Sequence, residues 1–373
     1  MTFGALFRTD RNQGIPSLFR GRKISYSFNT RVAIRKACDL LGLKPGDEVL
    51  APAYNCGSEL DPLRHAGLAI TLYPVHKDTR IDLAGIEALV SARTRAVYLT
   101  HYFGFLQPET QALRALCDRH GLVLIEDCAL SLLSGQTPAE GFAGDISVFC
   151  FYKFFPVLGG GAMVINNKDI NGEVEFTARV PRSKVNRKRI RHGLEMLLGP
   201  RGLSALKSLL RRPKSSQVTP SDNAVLEMPP HYYFDPDIKD ARIDIFASRP
   251  IRSFDPNNAI RKRRENYLTY LRQLSGINGV EPLFPNLPDN VCPLSMPVLL
   301  KCRDSIADAL IEKNIAATPW WSGYNRHLIW GPNCADARYL KDHVLSLPVN
   351  QHLGDVEIAY IISQLKNSLK LHE

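Results

Sequence analysis

Between Phe149 and Val164 the chain reads FCFYKFFPVLGGGAMV, and Lys153 is the single charged residue of that run. Burying an ammonium without a partner is costly and lowers its pKa. A lysine tuned in that way is what imine chemistry at a carbonyl requires. The same run also suits a lysine at a strand end that snorkels to water, and the triple glycine, Gly159 to Gly161, also suits a tight turn. A second group closes the run LVLIEDC, where Asp127 ends a strongly apolar strand and so falls at the carboxyl edge of a sheet. A carboxylate placed there can pair with a protonated pyridine nitrogen and keep such a ring an electron sink, whereas an isolated Asp more commonly caps a helix. Taken together, the two residues narrow the chemistry more than either does alone.

The elements that must position them alternate in type. TRVAIRKACDLLGL carries helical spacing and stops at KPGD; VLAP, the helical DLAGIEALVSAR, the strand AVYLTHY, the helical ETQALRALCDRHG and the strand LVLIED follow, with DISVFCFY and GAMVINN as further central strands. Strand and helix in alternation predict right-handed crossovers, a mainly parallel sheet and helices on both faces, with ligands gathered at the carboxyl ends of the strands. A second domain is expected from about Asp240, built on a long helix around NNAIRKRRENYLTYLRQLSG, strands around VCPLSMPVLL and a terminal helix DVEIAYIISQLKNSL. The length of 373 residues fits two domains of unequal size better than one core.

An apolar fraction of 45% with 23% charged residues is that of a folded chain and excludes disorder. The N-terminus mixes acid and base without the apolar core of a signal peptide, and no run approaches the roughly 18 apolar residues of a membrane span. Eight cysteines are scattered without a CxxC pair, which points to a reducing cytoplasm and to no structural zinc or other metal site. The net charge of +10 is local: from Arg179 to Lys214 there are twelve Lys or Arg against one acid, Glu195. Residues 180–225 read as a basic, then Pro/Ser-rich insertion. Its leucines, Leu194, Leu197, Leu198, Leu206, Leu209 and Leu210, suit a solvated, partly packed helix or a peripheral contact of 182–214 with an anionic membrane surface. Neither aromatic interleaving nor a reading motif supports nucleic-acid binding.

The ordered motifs carry a resemblance. GLKPGDEVLAPAYNCGSELDPLRHAG, VYLTHYFGFLQP, LVLIEDCA, GDISVFCFYK, DARIDIFASRPI and VLSLPVNQHLGDVEIAYI resemble, in that order, six blocks of the DegT/DnrJ/EryC1/StrS sugar aminotransferase family. The resemblance implies the pyridoxal-phosphate-dependent transferase fold, type I: an α/β large domain over 1–239 with a seven-stranded-type central sheet, and a smaller α+β C-terminal domain over 240–373. It implies pyridoxal 5′-phosphate as cofactor and a homodimer. It further implies amino transfer, with glutamate as donor, to a keto sugar carried on a nucleotide, in making polysaccharide or a glycosylated metabolite.

Position by position, the resemblance makes Lys153 the Schiff-base lysine and Asp127 the acid on the pyridine nitrogen. Thr30 and Arg31 fall where the family holds the phosphate at a helix N-terminus, as free N–H groups and the helix dipole favour. His101 falls in the family's H-x-x-G strand end near the ring, or is a satisfied structural histidine. Departures are visible. Lys153 follows Tyr152 directly, without the family's Pro-Thr. Cys56 stands where a ring-stacking aromatic is usual, leaving Tyr54 as the substitute. Cys150 replaces a serine that touches the phosphate, Leu130 replaces a Gln or His beside the ring oxygen, and Asp240 stands where the neighbouring subunit offers Asn. Trp320, Trp321, Tyr324 and Arg326 either border the substrate mouth or pack as core. The altered contacts also suit a non-catalytic or regulatory protein on the same fold, and the scaffold also suits dehydration or epimerisation.

Overall fold

The structure is a computed structural model, and it describes residues 14–19, 21–135, 143–155, 157, 159–170, 174–181 and 226–371. The basic stretch from 182 onward and its leucines lie outside the described residues. In chain order the first elements are β1 (Lys23–Ser27), α1 (Thr30–Leu40), β2 (Glu48–Pro52), α2 (Asp61–His65), β3 (Ala69–Tyr73), α3 (Leu83–Ala88), β4 (Thr94–Thr100), α4 (Thr110–His120), β5 (Val123–Asp127), β6 (Ile146–Cys150) and β7 (Gly161–Ile165).

These strands form one seven-stranded sheet in the order β1-β7-β6-β5-β4-β2-β3. The five strands from β3 to β6 are mutually parallel, β7 is antiparallel to β6, and β1 is antiparallel to β7. This is the mainly parallel α/β sheet that the alternation of elements predicts. Every residue of β2, β6 and β7 is buried, as expected of strands covered on both faces.

Helix α1 begins where it does because Asn29 caps it: the backbone is extended there, and the Asn29 side chain accepts the Val32 N–H at 3.0 Å. Its buried residues, Thr30, Val32, Ala33, Ile34, Ala37 and Cys38, make one face that packs on β6 and β7. The N-terminus of α1 is thereby fixed beside the carboxyl end of β6.

Beyond the sheet, the chain around Ala241 stays bonded to the first unit, since the Phe28 N–H donates to Ala241 O at 2.8 Å. Helix α5 (Ile245–Ser253) packs on the 3-10 turn Ile15–Phe19. A smaller unit follows with α6 (Pro256–Leu274), β8 (Glu281–Pro282), β9 (Ser295–Leu299), α7 (Arg303–Glu312), β10 (Thr318–Pro319), α8 (Ala335–His343), β11 (Val344–Pro348) and α9 (Asp355–Lys370). Its four strands are antiparallel in the order β10-β11-β9-β8, and α9 lies against α6 and α7. Among the described residues no helix is long and apolar enough to cross a membrane.

Candidate active site

Strands β4, β5 and β6 end side by side, with Thr100 in register with Asp127. Their carboxyl ends, the N-terminus of α1 and the loop after β2 border one cleft. Thr30, Arg31, Asp127, Cys150 and Lys153, five of the residues singled out in the sequence, all line it.

Asp127 is buried at the end of β5. Its Oδ2 accepts from Tyr98 Oη at 2.7 Å and its Oδ1 from the Ala129 N–H at 2.8 Å, so two fixed donors set the plane of the carboxylate. Lys153 is partly buried in a turn after β6, where the N–H groups of Phe154 and Phe155 both return to Phe151 O at 3.0 Å. That turn is gripped from the smaller unit. Arg263 of α6, itself buried, donates to Phe154 O at 3.3 Å and lies 5.1 Å from the Phe154 ring.

At the α1 end, Thr30 Oγ1 donates to Phe149 O at 2.9 Å, which ties the helix start to β6. The Arg31 guanidinium is spent elsewhere, on the carbonyls of His231, Tyr232 and Tyr233, so Arg31 offers the cleft its first-turn backbone N–H. The triple glycine acts here through close approach. Gly160 has φ +98°, and a Cβ on Gly161 would stand 2.6 Å from both Asn29 C and Thr30 N. Only glycine lets β7 pass that close to the helix start.

Tyr54 and His101 are not on the lining of the cleft. Tyr54 is fully buried behind it, its ring 5.1 Å from that of Trp321 and 5.3 Å from that of Tyr102. His101 has both ring nitrogens engaged. The Gln107 N–H donates to Nδ1 at 3.0 Å, so Nε2 carries the hydrogen and donates to Glu126 Oε1 at 2.7 Å. Burial raises the Glu126 pKa, but the bond from His101 and that from the Gly144 N–H outweigh it and hold the carboxyl below its ordinary value. His101, Glu126 and Cys128 bring ligand-type atoms within 4.8 Å of one another, but the histidine and the glutamate are already committed to each other. Asp240 pairs with Lys36 of its own chain at 3.3 Å.

Of the four residues around the expected mouth, Trp321 lines the cleft. Trp320 packs on Phe103, Tyr324 on Trp330, and Arg326 lies over Tyr233. Trp321 has φ +58°, a strained conformation for a bulky side chain. It is held by Lys341, a residue that sequence reasoning passes over. Lys341 is fully buried, and its Nζ donates to Asn55 O and Trp321 O at 2.8 Å and to Gly323 O at 2.9 Å. One ammonium thus joins the loop after β2 to the wall formed by the smaller unit.

The resemblance implies a pyridine ring with a phosphate arm, and the residues present fit one. A carboxylate, an amine and a helix N-terminus converge on one cleft. Glu59 Oε2 and Thr100 Oγ1, on two residues of the lining, are buried and make no hydrogen bond among the described residues. Cys56 also lines the cleft, and its thiol is pushed up by burial and by Glu59.

A family model described as the DegT/DnrJ/EryC1/StrS aminotransferase family matches residues 24–200, the segment that holds α1, β1 to β7, Asp127 and Lys153. The chain is similar to that family over this segment, a little under half of its length. GDP-perosamine synthase of Vibrio cholerae is 31% identical over 145 residues, 38% of this chain and 39% of that protein, so the match spans about two fifths of that relative. A longer match covers 90% of this chain and 82% of a UDP-N-acetyl-3-dehydro-alpha-D-glucosamine 3-aminotransferase of Acidithiobacillus ferrooxidans, at 26% identity. Among solved structures, Helicobacter pylori PseC, an aminotransferase involved in the biosynthesis of pseudoaminic acid, superposes with a TM-score of 0.68 at 18% identity. That superposition covers 95% of this chain and 89% of PseC, so the shared fold extends through the smaller unit.

Proposed function

We propose that this protein is a pyridoxal-phosphate-dependent aminotransferase that moves an amino group, with glutamate as donor, to a keto sugar carried on a nucleotide. The product would enter a polysaccharide or a glycosylated metabolite. The observation that carries this reading is that Lys153, Asp127 and the N-terminus of α1 line one cleft at the carboxyl ends of β5 and β6. The nucleotide-linked sugars in the names of two relatives support the acceptor.

When bound, pyridoxal phosphate supplies an electron-accepting ring. The residues divide the remaining work. Asp127, set by Tyr98 and Ala129, would hold a proton on the ring nitrogen. The backbone N–H groups of Thr30 and Arg31, with Cys150 beside them, would hold the phosphate. Lys153 Nζ would hold the aldehyde of the cofactor and serve as the base that takes up and returns a proton at the substrate carbon. Tyr54 would back the ring through Trp321, and His101 would fix the end of β4 against Glu126. The homodimer rests on the resemblance, and a peripheral contact of 182–214 with an anionic lipid surface rests on sequence charge.

The test is an absorbance spectrum of the protein with added pyridoxal phosphate, followed by borohydride reduction and peptide mass mapping. A band near the visible edge and a label fixed on Lys153, both missing in Lys153→Ala, are expected. No band and no label in the wild-type protein would overturn the reading.

A further inference from the structure

Glu59 lies three residues after Cys56, on the loop that leads from β2 into α2, and is 8% exposed. Its Oε1 accepts the Cys56 N–H at 2.8 Å. Among the described residues its Oε2 has no partner, and neither has Oγ1 of Thr100, which is 2% exposed at the end of β4. Buried oxygens without a partner are costly, and here two of them belong to residues lining the cleft that holds Asp127 and Lys153. Such a pair marks a place shaped for a polar group of a ligand.

The groups acting on Glu59 are Asp127 from β5, Lys153 from the turn after β6, Lys341 from α8, Tyr98 in β4, Tyr102 just beyond it, and Cys56 on its own loop. Burial first, and then Asp127, push the carboxyl up, while the bonds to Oε1 and the charge of Lys153 oppose them. A carboxyl that keeps its proton has a donor to offer, whereas a carboxylate can only accept.

We propose that Glu59 is a ligand-contacting residue of this site, donating a hydrogen bond from a protonated Oε2 to an oxygen acceptor of bound pyridoxal phosphate. This rests on the cofactor reading above. The two are separated by titrating the wild-type protein, Glu59→Gln and Glu59→Met with pyridoxal phosphate, following absorbance and tryptophan fluorescence, with Trp321 in the cleft wall. Glutamine keeps an acceptor for the Cys56 N–H and a donor at the second position, so its Kd is expected within about threefold of wild type. Methionine fills the space without a donor and is expected to raise Kd about tenfold. Across a pH series the wild-type affinity falls as the carboxyl ionises, and that of Glu59→Gln does not. Should Glu59→Met fail to fold, the glutamine variant and its pH series decide. Glutamine binding as weakly as methionine would mean an ionised carboxylate, and equal affinity in all three would mean no contact; either result overturns the proposal. No uptake by the wild-type protein would remove the cofactor reading itself, and this proposal with it.

Discussion

Lys341→Met probes the joint that closes the cleft. The lysine gives one donor to each of three carbonyls, those of Asn55, Trp321 and Gly323, and burial pushes its pKa from 10.5 down to about 8. That displacement corresponds to about 3 kcal/mol of penalty on the charged form, which methionine relieves while keeping the apolar stem. Against this, each carbonyl left without a donor costs about 1–3 kcal/mol, the upper part of the range applying to the buried Asn55 and the lower part to the half-buried Trp321 and Gly323. The losses come to about 4–5 kcal/mol, so a net destabilisation of about 1–2 kcal/mol is expected at pH 7. The pH dependence is the sharper test. The folded pKa lies below the unfolded one, so between about pH 8 and 10.5 the unfolded chain binds more protons, and the lysine's contribution becomes more favourable as pH rises. The gap between wild type and variant should therefore widen to about 4 kcal/mol by pH 10.5. Urea unfolding of both proteins at pH 7, 8.5 and 10, followed by tryptophan fluorescence, measures that gap directly. A gap that stays level or narrows with rising pH refutes the argument.

Two further outcomes follow from the same geometry. Gly161→Ala puts a methyl group 2.6 Å from the Asn29–Thr30 backbone, so it should displace the start of α1, destabilise the fold by about 1–3 kcal/mol and weaken pyridoxal phosphate uptake at least tenfold, read by thermal unfolding and absorbance titration. Burial holds the thiols of Cys38, Cys117 and Cys292 up to about 12, so the stability they contribute is complete below pH 9 and is lost as pH rises toward 12. The thermal midpoint should fall over that window, each thiol contributing about 1.4 kcal/mol per pH unit, and the triple Cys→Ala variant should fall less steeply.

Asp127 and Lys153 are legible in the sequence because their signals are local: an acid closing an apolar strand, a lone charge amid aromatics. Strands β2 and β4 to β7 and helices α1, α3 and α4 are legible for the same reason, since burial on both faces makes β6 and β7 continuous apolar runs, whereas the short β1 and α2 escape. Strand β3, AITLY, has three half-buried residues at the sheet edge and no clear period, and it escapes. Tyr54 and His101 carry the right neighbours in sequence, but their rings are placed by contacts that the chain does not announce, with Trp321 and with Glu126. Lys341 is the extreme case. It sits in ARYLKDH, a mixed-charge stretch that reads as a solvent face, and its three acceptors lie 18 to 286 residues away.

The seat at the start of α1 is made of main chain. Arg31 turns its side chain away, Thr30 uses its hydroxyl to tie the helix to β6, and what remains for an anion is two peptide N–H groups held in place by Gly161. Recognition of that kind is indifferent to side-chain identity as long as the backbone path is kept. It would let the surrounding side chains change, the thiol of Cys150 included, while the two N–H groups stay in place. The position to watch in any variant of this protein is therefore the one residue there with no side chain at all.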